Sequence, residues 1–401
     1  MVVNSPIIGI VGGGQLARMM AAPAHELGLH LKVMAEDKNS CARQTIPEAP
    51  VGDYTDYTQL HDFAQNVDVL TFDHEHVPTD FLERLISEGI NVQPRPQALI
   101  YAQDKLQMRQ AVHRLGLANP PWAEVRTREE LFSFGEKYGW DIVLKTPRGG
   151  YDGKGVMVIS SPEQAHGKDV ARWFAQLEHN TAFSSLLVEE KVPFTRELSA
   201  LVARNDNGEI RLWDISESRQ VNSVCDEVIA PAPALSEHLA QKIRDTAQTL
   251  ARELNVTGVM AVELFEVPDS PEGFYINELA MRPHNTGHWT QNGSKTSQFE
   301  QHLRAVLNLP LGDTQLTEPS ALMKNILGGT HENIWELYPQ ALAFEPQAKI
   351  HLYGKDVRPG RKIGHINITG SEQSLPQRQL AAETLSRLFS TGAETLTSSK
   401  E

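Results

Sequence analysis

Cysteine is scarce in this chain. Cys41 and Cys225 are the only two among 401 residues, far apart and without metal-ligand spacing. This excludes a disulfide framework and a zinc site built on cysteine pairs, and two isolated thiols fit a reducing compartment. Neither cysteine has a histidine or a second cysteine near it in sequence, so neither is a candidate nucleophile.

Long apolar runs and a surplus of positive charge are also missing. No apolar stretch approaches the roughly 20 residues that span a bilayer, and the N-terminus lacks the basic segment of a secretory signal. Lysine and arginine number 37 against 51 aspartates and glutamates, a net charge of −14. This argues against nucleic-acid binding, because phosphate backbones are held by an excess of basic residues. We expect a cytoplasmic protein that acts on small molecules, with no membrane and no nucleic-acid partner.

The N-terminal segment predicts a Rossmann-like α/β unit. The apolar run IIGIV leads into GGGQLARMM, in which Gly12, Gly14 and Ala17 fit the G-x-G-x-x-A dinucleotide fingerprint. Glu36 and Asp37 end the next apolar run, where an acid that binds the ribose of NAD would lie. The same glycines are needed wherever a parallel strand turns tightly into a helix, so a unit with NAD and a unit without it are both open.

A glycine-rich loop follows further along the chain. We predict helices at 57–66, 79–87, 98–117, 127–138 and 165–176, and strands at VDVLTF, GINVQP and WAEV. Lys145 closes the apolar strand before GGYDGKG, and VMVI resumes the sheet after it. A lysine beside a loop rich in backbone N–H groups suits a nucleotide triphosphate, although the Walker order of residues is missing. The alternative is a glycine hairpin with an exposed lysine.

Two carboxylates in the stretch 258–291 predict a metal site. Glu263 and Glu278 each lie in a short apolar run with strand alternation, and PDSPEG between them predicts a turn. With the amide of Asn277 they form an all-oxygen set, which suits Mg²⁺ carrying nucleotide phosphates. A dense run of polar side chains follows at once: Arg282, His284, Asn285 and His288. The alternative, a solvated hairpin with surface glutamates, does not account for that run.

Four blocks of sequence are typical of one enzyme family. They are GYDGKG at 150–155, VEEKVPFTRE at 188–197, NELAMRPHNTGHWTQ at 277–291 and YGKDVRPGRKIGHIN at 353–367. In this order they resemble N-carboxyaminoimidazole ribonucleotide synthetase, an ATP-grasp ligase of purine biosynthesis. The resemblance implies an α/β chain of three parts: a Rossmann-like N-terminal domain at 1–97, an ATP-grasp core at 98–320 with its lid at about 121–191, and a small C-terminal β-rich domain at 321–401.

The resemblance also implies the residues of the site. ATP phosphates would be bound by Lys105 and Lys145, under a lid made of Gly150, Tyr151, Asp152, Gly153, Lys154, Gly155 and Val156. The adenosine would be met by Glu189, Glu190, Lys191, Val192 and Glu197, and Mg²⁺ would be held by Glu263 and Glu278 beside Asn277. Aminoimidazole ribonucleotide would be surrounded by Tyr151, Lys154, Arg361 and Lys362 together with the catalytic set Asp152, Arg282, His284, Asn285 and Lys355. A basic group at 355–362 is what a ribose phosphate needs in an acidic protein.

The implied reaction uses MgATP and bicarbonate. Bicarbonate would attack the γ-phosphate to give carboxyphosphate, which would release CO₂ beside the exocyclic amine of aminoimidazole ribonucleotide. Relatives are commonly homodimers. Two departures from the family are visible. The segment SESRQVNSV has no histidine where many relatives place one toward the nucleotide; Gln220 is the nearest residue, and we leave that contact unassigned. His74 and His76 occupy a strand end that is usually plainer; they either shape the substrate phosphate pocket or are surface side chains, and we expect the latter.

Two other functions remain open. An NAD-dependent oxidoreductase would use the glycine turn and Glu36, but it leaves the pair Glu263 and Glu278 without a purpose. The formate-dependent glycinamide ribonucleotide transformylase is another ATP-grasp enzyme with a similar RPH-x-TG block. It lacks the GHWTQNG continuation found here.

Overall fold

The structure, a computed structural model, describes residues 5–149, 155–177 and 183–392. None of the described helices has the length and apolar composition that crossing a membrane requires. The strands are β1 (Ile7–Val11), β2 (His30–Met34), β3 (Val69–Phe72), β4 (Trp122–Val125), β5 (Ile142–Lys145), β6 (Val156–Ile159), β7 (Leu186–Glu190), β8 (Arg196–Arg204), β9 (Ile210–Leu212), β10 (Ser216–Val221), β11 (Val224–Ala230), β12 (Gly258–Glu266), β13 (Phe274–Ala280), β14 (Ser320–Leu327), β15 (Lys349–Leu352) and β16 (Lys362–Gly370). The helices are α1 (Gln15–Glu26), α2 (Tyr57–Ala64), α3 (Thr79–Ser87), α4 (Pro96–Gln103), α5 (Lys105–Arg114), α6 (Arg128–Tyr138), α7 (Pro162–Ala165), α8 (Lys168–Leu177), α9 (Glu237–Glu253), α10 (Thr290–Gly293), α11 (Gln298–Val306), α12 (Tyr338–Phe344) and α13 (Leu375–Thr391).

The N-terminal sheet is parallel and carries the glycine turn. Its strand order is β2-β1-β3. Four of the five residues of β1 are buried, as expected for a parallel strand covered on both faces. The predicted strand GINVQP is reduced to one parallel bridge, between Val92 and Leu70. Helix α1 begins directly after the glycines and packs on α11, where Leu16 and Met20 share a core with Phe299.

The central sheet is antiparallel and has nine strands. Their order is β13-β12-β8-β10-β11-β14-β16-β15, with β9 beside β8. The C-terminal strands join this sheet through the pairing of β11 with β14, so the predicted C-terminal domain shares a sheet with the ATP-grasp core. Helix α13 covers this end, with Leu385 and Phe389 packed in one core with Leu322 and Ile366. It spans 17 residues, from Leu375 to Thr391.

A four-stranded antiparallel sheet has a core of its own. Its order is β4-β7-β5-β6, and Leu131 and Phe134 of α6 pack there with Ile142 and Val188. The sheet lies within the range predicted for the lid. A different core joins the N-terminal and central sheets through α4 and α5, and it places the cleft described below between them.

One predicted helix is divided in two, and another begins later than predicted. The stretch 98–117 forms α4 and α5, separated at Asp104, whose backbone is extended (φ −134°, ψ 109°). The Asp104 carboxylate accepts from the N–H groups of Leu106 and Gln107, which α5 would otherwise leave unpaired. Asp104 is therefore an N-cap inside a continuous apolar pattern, and it makes Lys105 the first residue of α5. The helix predicted at 165–176 corresponds to α8, which begins at Lys168, while Ala165 is the last residue of α7.

Candidate active site

A cleft of about 900 Å³ brings predicted site residues from distant parts of the chain together. Those on its wall are Lys105, Glu197, Glu263, Asn277, Glu278, Arg282, His284, Asn285, Lys355, Arg361 and Lys362. Gln220, left unassigned from the sequence, also lines it, and so do His74 and His76. Residues predicted for the nucleotide, the metal and the ribonucleotide thus share one cavity.

The other described residues of the predicted nucleotide site lie on or beside the four-stranded sheet. Lys145 ends β5 and Val156 begins β6, directly after Gly155. The segment 189–192 runs from the end of β7 into the following loop. The predictions for Gly150, Tyr151, Asp152, Gly153 and Lys154 fall outside the described residues.

The two predicted metal ligands face each other across a hairpin. Glu263 of β12 lies opposite Glu278 of β13 in the antiparallel register, which puts both side chains on the same face. The register shifts beside them: Leu264 pairs with Ile276, so Asn277 is an extra residue in β13, a β-bulge. Lys105 Nζ lies 3.8 Å from Glu278 Oε1. The strand, turn and strand predicted from the sequence are confirmed.

Several carboxylates lie close together at the hairpin, where the pKa of Glu263 is shifted. Burial first, and then the charges of Glu278 and Glu197, raise the pKa of Glu263 to about 8. Burial, assisted by the charge of Arg282, lowers the pKa of His284 to about 3. His284 Nε2 and Glu263 Oε1 are 3.4 Å apart, and the lowered pKa of His284 keeps its ring neutral near pH 7, so their contact is not an ion pair.

Comparison with known families and proteins identifies the chain's family. An ATP-grasp domain model matches residues 110–299, a ribonucleotide synthetase preATP-grasp domain model matches 6–103, and a phosphoribosylaminoimidazole carboxylase C-terminal domain model matches 321–379. The chain is 46% identical over 387 residues to the N5-carboxyaminoimidazole ribonucleotide synthase of Mycobacterium bovis, covering 95% of this chain and 88% of that one. The chain belongs to the N5-carboxyaminoimidazole ribonucleotide synthase family. The resemblance noted in the sequence is confirmed.

Solved structures of the N5-carboxyaminoimidazole ribonucleotide synthase family share the whole fold. The ADP complex of an N5-carboxyaminoimidazole ribonucleotide synthetase superposes with a TM-score of 0.84 at 36% identity, covering 96% of this chain and 97% of that one. The Aspergillus clavatus synthase, in complex with ADP and 5-aminoimidazole ribonucleotide, has a TM-score of 0.82 at 28% identity, covering 96% and 99%. The predicted α/β ATP-grasp fold class and the ligase class are confirmed.

Membership of this family agrees with the geometry of the glycine turn. The N–H of Gly13 donates to Glu36 at 2.9 Å, and those of Gly14 and Ala17 donate to Asp73. A dinucleotide would place its pyrophosphate on these N–H groups at the start of the helix. In this structure these N–H groups already donate to carboxylates of the protein. Glu36, which would have to bind the ribose of NAD, instead accepts the N–H of Gly13. The turn is therefore a structural feature of a Rossmann-like unit without NAD.

Two residues of the cleft that were not predicted from the sequence contact predicted site residues. Glu75 accepts from Arg282 Nε at 2.8 Å and so holds that guanidinium in place. The feature of the sequence that could have identified Glu75 is its position after the carboxyl end of a parallel strand, where ligands of α/β sheets bind. Gln15, at the start of α1, accepts a hydrogen bond from the ammonium of Lys355. Nothing in the local sequence of Gln15 points to a partner 340 positions away.

The two histidines beside Glu75 differ from each other. The His74 side chain is 17% exposed and lies against Tyr54, with ring centroids 4.7 Å apart, so the expectation of a surface histidine is wrong for it. Its Nε2 is 3.5 Å from Glu36 Oε1. His76 is exposed, as expected.

Proposed function

We propose that the chain catalyses the ATP-dependent carboxylation of aminoimidazole ribonucleotide in purine biosynthesis, with bicarbonate as the source of the carboxyl group. The products are N5-carboxyaminoimidazole ribonucleotide, ADP and phosphate. The observation that carries this proposal is the single cleft whose wall holds both the opposed carboxylates Glu263 and Glu278 and the basic residues Lys355, Arg361 and Lys362. Acidic and basic groups of this kind suit a nucleotide with its metal and a ribose phosphate, respectively.

The nucleotide half of the site is assigned to the junction of the four-stranded and central sheets. Lys105 and Lys145 bind the phosphates, and Glu197, which lines the cleft, holds the ribose hydroxyls. The adenine meets the backbone at 189–192. Because the N–H groups of Glu190 and Lys191 already donate to the carbonyls of Pro121 and Asp141, we assign the adenine contact to the N–H of Val192.

The donor set fits Mg²⁺ held by Glu263 and Glu278. Within the described ranges no group of three His, Cys, Asp or Glu residues is arranged to hold a metal. Mg²⁺ is often held by only one or two carboxylates, with substrate phosphates and water completing its shell. Burial is the main cause of the raised pKa of Glu263, and the charges of Glu278 and Glu197 add to it; a divalent cation would relieve the repulsion among these carboxylates. When bound, the ion supplies charge neutralisation at the transferring phosphate.

The ribonucleotide half of the cleft is lined by residues from the N-terminal and C-terminal parts of the chain. Burial lowers the pKa of Lys355, and the neighbouring charges of Arg361 and Lys362 act in the same direction. A cluster of cations that destabilise one another is favourable for an anion such as the ribose phosphate. Glu75 orients Arg282 toward the reacting end of this substrate.

His284 acts as a neutral hydrogen-bonding group in this proposal. Its Nδ1 lies 2.9 Å from Thr286 Oγ1, and its Nε2 lies 3.4 Å from Glu263 Oε1. With a pKa of about 3 it is not a source of protons near pH 7. Its role is to orient Glu263, while Asn285 offers its side-chain amide to aminoimidazole ribonucleotide, which accepts the carboxyl group. Asp152, outside the described residues, stays the predicted partner of the exocyclic amine.

ADP release in bicarbonate buffer, with and without aminoimidazole ribonucleotide, tests the function. We expect strong stimulation by this nucleotide, together with formation of the carboxylated product. Formate plus glycinamide ribonucleotide should give no stimulation. The reverse pattern would establish the transformylase and overturn the proposal.

The assembly and location are proposed from the family resemblance. We propose a homodimer that acts in the cytoplasm, with the three domains bounded near residues 97 and 320 as predicted from the sequence. Light scattering coupled to size-exclusion chromatography measures the mass of the particle in solution. A monomeric mass at micromolar concentration would contradict the dimer.

A further inference from the structure

Arg109 is a buried cation to which none of the assignments above gives a role. Its side chain is 1% exposed, and it lies on α5 one turn after Lys105. Its guanidinium makes bonds in three directions. Nε donates to the carboxylate of Glu189, Nη1 to the carbonyl of Ile276 at 2.6 Å, and Nη2 to the carbonyl of Asn277 at 3.0 Å. One side chain thus connects α5, the four-stranded sheet and β13.

On the four-stranded sheet, Arg109 shares Glu189 with Lys145. One carboxylate oxygen of Glu189 bonds to Arg109 and the other lies 2.5 Å from Lys145 Nζ. Burial opposes the ionisation of Glu189, but the two cations outweigh it and lower the pKa of this carboxyl to about 2. Glu189 is therefore ionised, and its single negative charge is divided between two cations.

On the central sheet, Arg109 supports the β-bulge beside the metal pair. Asn277 is the extra residue of the bulge and has no residue of β12 directly opposite it in the hairpin register. Arg109 donates to the carbonyl of Asn277 and to the one before it, directly ahead of Glu278 in sequence. A second bond holds the same segment, from the N–H of Ile276 to the carbonyl of Ala118 at 2.9 Å.

We propose that Arg109 is a positioning residue of the nucleotide site, which aligns Lys145 through Glu189 and aligns Glu278 through the bulge. The inference rests on the proposed function, because it assigns this network to the two ends of a nucleotide triphosphate. Without Arg109, Lys145 is the remaining ion-pair partner of Glu189 among the described residues, so the lysine is held in a full ion pair and is less available to a phosphate. The bulge carbonyls also lose their charged donor, which leaves Glu278 less firmly placed.

The test is Arg109→Met, which keeps a long apolar side chain and removes the charge. We expect the KM for ATP and the dissociation constant of ADP, measured by calorimetry, to rise about tenfold or more, the effect of losing a charge-assisted hydrogen bond. The KM for aminoimidazole ribonucleotide should stay within about twofold of the parent value. Equal increases in both KM values, or no change in ADP binding, would overturn the inference.

Arg378→Met is the matched control. Arg378 is also buried, at 6% exposure, and donates to the carbonyls of Ser320, Ile368 and Ser371, but it lies on α13 and does not line the cleft. We expect it to lower the melting temperature with ADP binding unchanged. If both arginine variants weakened ADP binding to the same extent, the effect of Arg109 would be one of general stability and the proposal would fail.

A double-mutant cycle with Lys145→Ala tests the route of action. If Arg109 acts partly through Lys145, adding Arg109→Met to Lys145→Ala should cost clearly less than it costs alone. Full additivity would refute the Glu189 route. Should Arg109→Met not fold, Arg109→Lys replaces it in the same measurements, because one ammonium cannot reproduce the three directed bonds. An Arg109→Lys enzyme with parental ADP affinity would also refute the proposal.

These results are distinguishable from a failure of the proposed function. ADP binding is measured without carboxylation, so it reports on Arg109 even if the substrate assignment is wrong. A parent enzyme that aminoimidazole ribonucleotide does not stimulate would overturn the proposed function alone.

Discussion

His302 joins the N-terminal sheet to the central sheet, and we expect it to make the stability of the protein depend on pH. Its side chain is fully buried. Nδ1 accepts the N–H of Val259 on β12 at 3.1 Å, and Nε2 lies 2.8 Å from Thr71 Oγ1 on β3. Because Nδ1 is an acceptor, the proton of the neutral ring is on Nε2 and is donated to Thr71. The imidazolium form would break the bond to Val259.

The size of the effect follows from the pKa of His302. Burial lowers this pKa from its ordinary value of 6.5 to about 3. Between these two values the unfolded state binds a proton and the folded state does not, so lowering the pH favours unfolding. The stabilisation is complete above pH 6.5 and is lost as the pH falls toward the folded pKa. Each pH unit costs about 1.36 kcal/mol, so acidification to about pH 5 costs roughly 2 kcal/mol from this one residue.

Urea denaturation at about pH 7.5 and pH 5 measures this contribution. His302→Gln keeps a donor toward Thr71 but does not titrate. It should be less stable than the parent near pH 7.5, yet lose about 2 kcal/mol less on acidification. His238→Gln is the control, since His238 is exposed on α9 and its removal should leave the pH dependence unchanged. Tryptophan fluorescence and circular dichroism must give the same midpoint. Equal losses in the parent and His302→Gln would refute the reasoning.

Three further predictions concern catalysis. Glu278→Gln should nearly abolish turnover and leave the melting temperature close to that of the parent, because it removes a metal ligand and not a core side chain; near-normal activity would eliminate the metal assignment. Lys355→Ala should raise the KM for aminoimidazole ribonucleotide by roughly 10- to 150-fold, the worth of a charge-assisted phosphate contact of about 1.5–3 kcal/mol, with the KM for ATP unchanged. A rise confined to the KM for ATP would move Lys355 to the other substrate. Asp152→Asn should lose most carboxylated product and retain part of the ATP hydrolysis, because carboxyphosphate still forms and decays in water; a parental ratio of ADP to product would make Asp152 a structural residue of the loop.

The sequence predicted the hairpin of Glu263 and Glu278 well because every element of it is local. The alternation around Glu263 and Glu278, the turn between them and the polar run after them all lie within the stretch 258–291. A β-hairpin is specified by its own strands and turn, so its register could be anticipated without knowledge of the rest of the fold. The bulge at Asn277 was not anticipated, because the carbonyl of Asn277 is bonded by Arg109, 168 positions away.

The division of the stretch 98–117 shows where periodicity misleads. The apolar spacing continues across Asp104, and only the extended backbone there, stabilised by two N–H bonds to its carboxylate, ends one helix and begins the next. That break puts Lys105 at a helix start beside Glu278. A pattern of apolar residues reports which face is buried, and it does not report a change in direction of the axis.

Motif order and local alternation carried enough information to predict the family, the α/β class and eleven of the polar residues that line the cleft. Which side chains contact one another across the chain became visible only in the folded structure. Arg282 contacts Glu75, which is 207 residues away in sequence, and Lys355 contacts Gln15, which is 340 residues away. Glu189 lies between Arg109 and Lys145. The folded structure also decided that the glycine turn is closed by Glu36 and Asp73 and is therefore not a dinucleotide site. An ion pair, or a hydrogen bond to the N–H groups at the start of a helix, depends on distance and burial in three dimensions. The spacing of residues along the chain gives neither of these quantities.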